Sequence, residues 1–294
     1  MELRVLRYFW TIAEEGNISR AAELLHITQP TLSRQLMNLE EELGTQLFIR
    51  EKKRLILTEA GLYLKDRAQE ILSLADKTEK EFENQKKQLF SGVISIGCVE
   101  ANSSEVLAGL LEEFISEYPQ VSFNMFSGTG DDISEKLDKG LLDIGILLEP
   151  VQTDKYESIS FPDKERWGVL VQKNSFLAQK EGVRPEELYG VPLMCSARPE
   201  VQRLLEEWMS VPINEMNIVG TYNLIFNVFP LVENQVGAAL MIEGASLNLK
   251  NEQTRFIPFL PEVSTECVFV WKRHRVLSPV TNAFIKRVAH AFKA

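Results

Sequence analysis

Thr28-Gln29-Pro30-Thr31-Leu32-Ser33-Arg34-Gln35-Leu36-Met37-Asn38-Leu39 is the stretch on which the reading of this chain turns. Leu32, Leu36, Leu39 and Leu43 recur at i, i+4, i+7 and i+11, which puts them on one helical face turned to a core. Thr28 stands before the first turn as an N-cap able to accept from backbone N–H groups. Pro30 falls inside that turn, where its missing donor costs nothing. At about 100° per residue, Thr31, Arg34 and Asn38 lie on the opposite side, with Gln29 at the exposed start. Such side chains suit a DNA major groove. Gln and Asn pair with adenine, Arg with guanine or phosphate, and Thr with phosphate or a thymine methyl. Taken alone, the same face also reads as an ordinary solvated helix surface.

The flanking sequence decides between the two. Upstream, Leu3, Leu6, Phe9 and Ala13 make one apolar helical face, and Glu14-Glu15-Gly16-Asn17 ends it. Asn17 or Ser19 caps a helix from Arg20 to Leu25 that buries Ala21 or Ala22 with Leu24 and Leu25. The turn His26-Ile27 then leads into Thr28, so the order is helix, short turn, helix. Downstream, Gly44 stops the second helix and Leu47-Phe48-Ile49 reads as a strand. Arg50-Glu51-Lys52-Lys53-Arg54 is a turn of net charge about +3, and Leu55-Ile56-Leu57 returns. A cationic hairpin directly after a recognition helix is a wing that meets phosphates or the minor groove. Thr58 caps a long helix in which Leu64, Ala68, Ile71, Ala75, Thr78, Phe82, Gln85 and Leu89 follow a 3.5-residue repeat. That repeat is the seam of a coiled coil with a second copy; the alternative packs it on the chain's own C-terminal part.

These blocks resemble LysR-type transcriptional regulators. The resemblance covers Phe9 to Thr58 and is carried by Ala13-Glu14-Glu15-Gly16-Asn17, Ala21-Ala22-Glu23-Leu24-Leu25-His26, the stretch from Thr28 to Gln35, Leu39-Glu40-Glu41-Glu42-Leu43-Gly44, Leu47-Phe48 and Leu57-Thr58-Glu59-Ala60-Gly61. It implies base contact by Gln29, Pro30, Thr31 and Arg34, with Asn38 on the same face. It implies phosphate or minor-groove contact by Ser33, Arg50, Lys52, Lys53 and Arg54, and dimerisation through the long helix. Trp10 and Met37 are bulkier than the pattern expects.

The composition allows this. The chain has 294 residues and a net charge of −10, but the acid is uneven. Residues 1–90 hold about 14 basic against 15 acidic side chains, and nearly all the excess lies beyond them. No apolar run approaches the roughly 20 residues that cross a bilayer. The N-terminus has no secretion pattern, so the expected compartment is the cytoplasm. Three scattered cysteines, Cys98, Cys195 and Cys267, offer no disulfide framework and no zinc spacing.

After the hinge Ser91-Gly92, strands and helices alternate: Val93–Gly97, a helix from Ser103 to Glu117, Val121–Phe126, a helix from Ile133 to Lys139, and Leu141–Leu148. That βαβαβ order predicts a parallel sheet covered on both sides. A second set follows in Trp167–Val171, Pro192–Cys195, a helix through Trp208, Ile218–Gly220 and Gln235–Ile242. The last strand, Cys267–Trp271, and a closing helix from Pro279 return to the first set. The expected division is a winged helix-turn-helix domain over 1–58, a linker helix over 59–90 and an effector domain over 91–294. Its subdomain I is about 91–162 with 266–294, and its subdomain II about 163–265. Phe114–Pro119, Gly140–Ile146 and Val236–Leu240 also resemble the family, whose effector domain is a two-lobed periplasmic-type binding fold.

Ligands of open parallel sheets sit beyond the carboxyl ends of strands. Those positions are Glu100, Ala101, Asn102 and Ser103; Ser127, Gly128 and Thr129; Ser196 and Arg198; Thr221 and Tyr222. Glu100 disfavours a wholly anionic effector and Arg198 can pair a carboxylate, so a carboxylate-bearing molecule or a zwitterion is expected. No Gly-x-Ser-x-Gly, phosphate loop, dinucleotide fingerprint or metal spacing appears, so neither catalysis nor a cofactor is expected. The expected partners are double-stranded DNA, a small effector, further copies of the chain as dimer and tetramer, and the transcription machinery. A solute-binding protein or an enzyme on the same two-lobed body is the alternative.

Overall fold

Residues 1–51, 54–86, 90–151, 153–247 and 252–292 are described by the computed structural model. They fall into two units, Met1–Lys87 and Gln88–Ala294. The first unit is α1 (Leu3–Glu15), α2 (Ile18–Leu24), α3 (Gln29–Leu43), the hairpin β1 (Phe48–Glu51) and β2 (Arg54–Leu57), and α4 (Glu59–Lys86). Asn17 caps α2, its side chain accepting from Ser19 and Arg20 backbone N–H groups. Thr28 precedes α3 but makes no such cap, because its hydroxyl is hydrogen-bonded to that of Thr31 at 2.8 Å.

Leu6, Phe9 and Ile12 of α1 meet Ala21 and Ala22 of α2 and Leu32, Leu36 and Leu39 of α3 in one core. Each large apolar side chain buried there contributes about 1.5–3 kcal/mol, which fixes the face α3 turns outward. Two expected members are absent from it. Leu24 is 56% exposed and Leu43 41% exposed, since each sits at a helix end beyond the reach of the facing helices. The seam of α4 is also redistributed. Ala68 and Leu72 enter the unit's own core against α1, while Ile71, Leu74 and Phe82 stay exposed.

The second unit runs β3 (Gly92–Cys98), α5 (Ser103–Glu117), β4 (Val121–Ser127), α6 (Gly130–Asp138), β5 (Ile144–Leu148), β6 (Tyr156–Gln172), β7 (Leu193–Ser196), α7 (Pro199–Met209), β8 (Ile218–Tyr222), α8 (Phe229–Glu233), β9 (Ala238–Ile242), α9 (Gly244–Leu247), β10 (Thr254–Pro258), β11 (Ser264–Lys272) and α10 (Pro279–Ala291). β4, β3 and β5 are parallel neighbours, as the βαβαβ order predicts. The sheet as a whole is mixed, because β11 enters antiparallel between β5 and β6. α6 lies close on the sheet: a Cβ at Gly97 would stand 2.7 Å from Ile133, and one at Gly145 2.7 Å from Leu137.

β6 begins at Tyr156 rather than Trp167 and belongs to both lobes. Its first part pairs with β11, and its second with β9 and β10. β7 joins β8 and β9 in parallel to complete the second lobe. The two lobes are thus joined through one continuous strand. α6 starts at Gly130, ahead of the expected Ile133, because Thr129 and Asp132 form a reciprocal cap.

Candidate nucleic-acid interface and ligand cavity

The buried leucines of α3 leave Gln29, Pro30, Thr31, Arg34 and Asn38 exposed and Ser33 half-buried. Among the described residues no hydrogen bond or ion pair engages the Arg34 guanidinium. Met37, 57% exposed, stands beside this face. β1 and β2 pair from Phe48↔Leu57 to Glu51↔Arg54. The strands therefore run further than expected, to Glu51 and from Arg54. Lys52 and Lys53 lie outside the described residues, as do the side chains of Arg50 and Arg54. On α4, Ile71, Leu74, Ala75, Thr78 and Phe82 line a groove of about 650 Å³ together with Leu3. Leu89, at the end of the expected seam, lies outside the described residues, as does the side chain of Gln85.

In the second unit the strand ends meet around a cavity of about 100 Å³. Glu100, Gly128, Thr129, Ser196, Arg198 and Tyr222 line it with Trp167, Leu148 and Ile242. Glu100 accepts a hydrogen bond from the backbone N–H of Ile225 at 2.6 Å. The Arg198 side chain is only 12% exposed. It donates to the Pro150 carbonyl at 3.2 Å, while its buried Nε makes no hydrogen bond and lies 3.6 Å from Asp131. Tyr222 donates its hydroxyl to the Leu240 carbonyl at 2.6 Å, and burial raises its pKa, so it stays protonated. An opposed carboxylate and guanidinium in one small cavity can orient a ligand carrying both charges.

The other strand-end residues sit elsewhere. Ala101 and Ser127 line a larger, mainly apolar cavity of about 540 Å³ with Leu107, Leu111, Phe123 and Met125. Asn102 immediately precedes α5 and Ser103 opens it, and Thr221 is exposed on β8, whose one strand neighbour among the described residues is β7. One residue that the pattern of the sequence did not single out is Glu165, 5% exposed on β6. It accepts from Asn102 N at 2.7 Å and from Gly244 N at 3.1 Å, joining the starts of α5 and α9. Burial raises its pKa, opposed by those backbone N–H groups. One of two acidic residues in the alternating charged run Asp163-Lys164-Glu165-Arg166, it carries no signal of burial.

Cys98, Cys195 and Cys267 are all buried. Burial pushes the Cys98 and Cys267 thiols up to about 12 and raises that of Cys195. Such thiols are protonated at neutral pH and are poor redox sensors.

Two family models match the chain. The "Bacterial regulatory helix-turn-helix protein, lysR family" matches residues 3–62, and the "LysR substrate binding domain" residues 87–293. The chain is 29% identical to the Hca operon transcriptional activator HcaR of Escherichia coli strain K12, over 97% of this chain and 96% of that one. It is 32% identical to a probable RuBisCO transcriptional regulator of Emiliania huxleyi, covering 80% and 77% of the two chains. Among solved structures, CbnR, a LysR family transcriptional regulator, is similar with a TM-score of 0.78 at 20% identity, covering 100% of both chains. CbnR complexed with its target DNA gives 0.75 at 20% identity, covering 99% and 100%.

Proposed function

Because this chain belongs to the LysR family of transcriptional regulators, we propose that it reads DNA with the outer face of α3 and the β1–β2 wing, and tunes that binding to a small molecule held between its two lobes. It is a DNA-binding transcription regulator and not an enzyme. Gln29, Pro30, Thr31, Arg34 and Asn38 meet base edges. Ser33, Arg50, Lys52, Lys53 and Arg54 meet phosphates or the minor groove. The observation that carries this reading is the Arg34 guanidinium, exposed on a helix whose opposite face is locked in a core by Leu32, Leu36 and Leu39. The exposed stripe of α4 pairs with that of a second copy, and paired dimers form a tetramer on neighbouring sites. Among the described residues no helix is long and apolar enough to cross a membrane. The working compartment is the cytoplasm, where the transcription machinery is a further partner.

The effector occupies the cavity of Glu100, Ser196 and Arg198. That cavity shares Glu100 and Ile225 with the larger, mainly apolar one of about 540 Å³, so an apolar part of the effector can extend there. Arg198 takes a carboxylate and Glu100 an ammonium group, which favours a zwitterion. Ligand in the cleft shifts DNA binding only through unequal affinity for two arrangements of the assembly. A gel-shift with short genomic fragments tests the first half: specific complexes form at low salt and weaken as salt rises. Indifference to every duplex at low ionic strength would remove the reading. For the second half, small zwitterions at millimolar concentration raise the melting temperature of the wild type and not of Arg198→Gln. Stabilisation by dicarboxylates alone would overturn the charge assignment.

A further inference from the structure

We infer that Glu40 is a positioning residue for DNA binding, fixing the root of the wing against the recognition helix so that both meet one duplex in register. Glu40 sits on the last turn of α3, away from the face that carries Thr31, Arg34 and Asn38. The chain leaves α3 through Gly44, whose φ of +67° reverses it, and comes back alongside the helix. There the Glu40 carboxylate accepts from the backbone N–H of Leu47 at 2.7 Å and of Phe48 at 3.2 Å. Both amides lie at the start of β1, and one oxygen, Oε1, takes both. The backbone carbonyl of Glu40 accepts from Thr45 N at 3.1 Å, so the residue holds the connection at two places.

The other side of the root is tied to α4. Thr58 donates its hydroxyl to the Gln46 carbonyl at 2.8 Å and accepts from Gly61 N at 3.0 Å. Its own N–H donates to the Leu47 carbonyl at 3.0 Å. Gly61 permits that approach, since a Cβ there would run into the Leu47 carbonyl oxygen. A two-stranded hairpin has little stability of its own, so its direction is set by what holds its base. Here the base is held between α3, through Glu40, and α4, through Thr58. A carboxylate near the C-terminal end of a helix is disfavoured by the helix dipole, and a negative charge beside DNA is disfavoured again. Two backbone donors compensate it, and what it supplies is the angle of the wing.

The inference rests on the wing reading of Lys52 and Lys53, and the test separates the two. With full-length protein and a random-sequence duplex of about 30 base pairs, the slope of log Kd against log salt counts neutralised phosphates. Replacing Lys52 and Lys53 by Ala lowers the slope by about 2 for each protomer on the duplex if they contact phosphates. Glu40→Asp keeps the charge but shortens the reach. It is expected to lose most of the same slope, with no further loss when combined with the lysine changes. Glu40→Gln keeps the reach and the acceptor, and should hold the wild-type slope. A wild-type slope for Glu40→Asp, or an equal loss for Glu40→Gln, overturns the inference while the wing reading stands. No loss on changing the lysines removes both. Tighter binding by Glu40→Gln with no change in Glu40→Asp would mean that Glu40 acts by charge alone. If Glu40→Asp does not fold, hydrogen exchange on Glu40→Gln decides: the Leu47 and Phe48 amides must remain protected with the slope kept, and a slope lost despite that protection sinks the idea.

Discussion

The carboxylate of Glu100, just past the end of β3, accepts a hydrogen bond from the backbone N–H of Ile225, in the segment after β8, at 2.6 Å. The bond spans the two lobes and shares the cavity with Arg198. A hydrogen bond to an ionised group contributes about 1.5–3 kcal/mol. Glu100→Ala should therefore speed hydrogen exchange at the Ile225 amide by roughly 10- to 100-fold. Unchanged exchange at that amide would show that the lobes are not latched there in solution.

The proposed base reading by α3 and phosphate grip by the wing can be separated by mutation. Arg34→Ala should cost about 1–3 kcal/mol of discrimination between a specific site and its mismatched versions. Competition gel-shifts measure it directly. Intact discrimination in Arg34→Ala would place base reading elsewhere on the helix.

Two sets of residues on α4 should behave in opposite ways. Ile71 and Phe82 are exposed, so Ile71→Glu with Phe82→Glu leaves the unfolding midpoint nearly unchanged but halves the mass in sedimentation. Ala68 is fully buried, so Ala68→Leu overpacks the core and destabilises the unit by about 1–3 kcal/mol. A double mutant that sediments like the wild type would move the pairing surface away from α4.

Glu165 makes stability depend on pH in a fixed direction. Burial raises its folded pKa above the ordinary 4.5. A carboxyl so shifted stabilises the fold fully below its unfolded pKa, and that contribution disappears as pH rises through the folded value. Urea unfolding of the wild type and Glu165→Gln from pH 4.5 to 7.5 should show the wild type losing ground to the variant as pH rises. A gap that is constant, or that moves the other way, would mean that the three-way contact outweighs burial.

The periodic elements were legible because their signals are local. The leucine repeat of α3, the caps Asn17 and Thr58 and the alternation of strands and helices each depend on residues within a few turns of one another. The acidic contacts were not legible. Glu40 and Glu165 look in the sequence like charged surface residues, and Glu100 was placed past a strand end without its partner, yet each accepts backbone N–H from a segment that folding brings to it. Whether Ala68 or Ile71 of α4 turns inward was equally open, because a 3.5-residue repeat does not say which neighbour it meets.

By itself, then, the order of residues determined which segments coil or extend and which face of α3 points away from its core. Hydrophobic periodicity is a property of short stretches. Only the tertiary structure decided which carboxylates lose their water and which backbone amides replace it. Those pairings join residues as far apart as Glu100 and Ile225, and no local spacing records them.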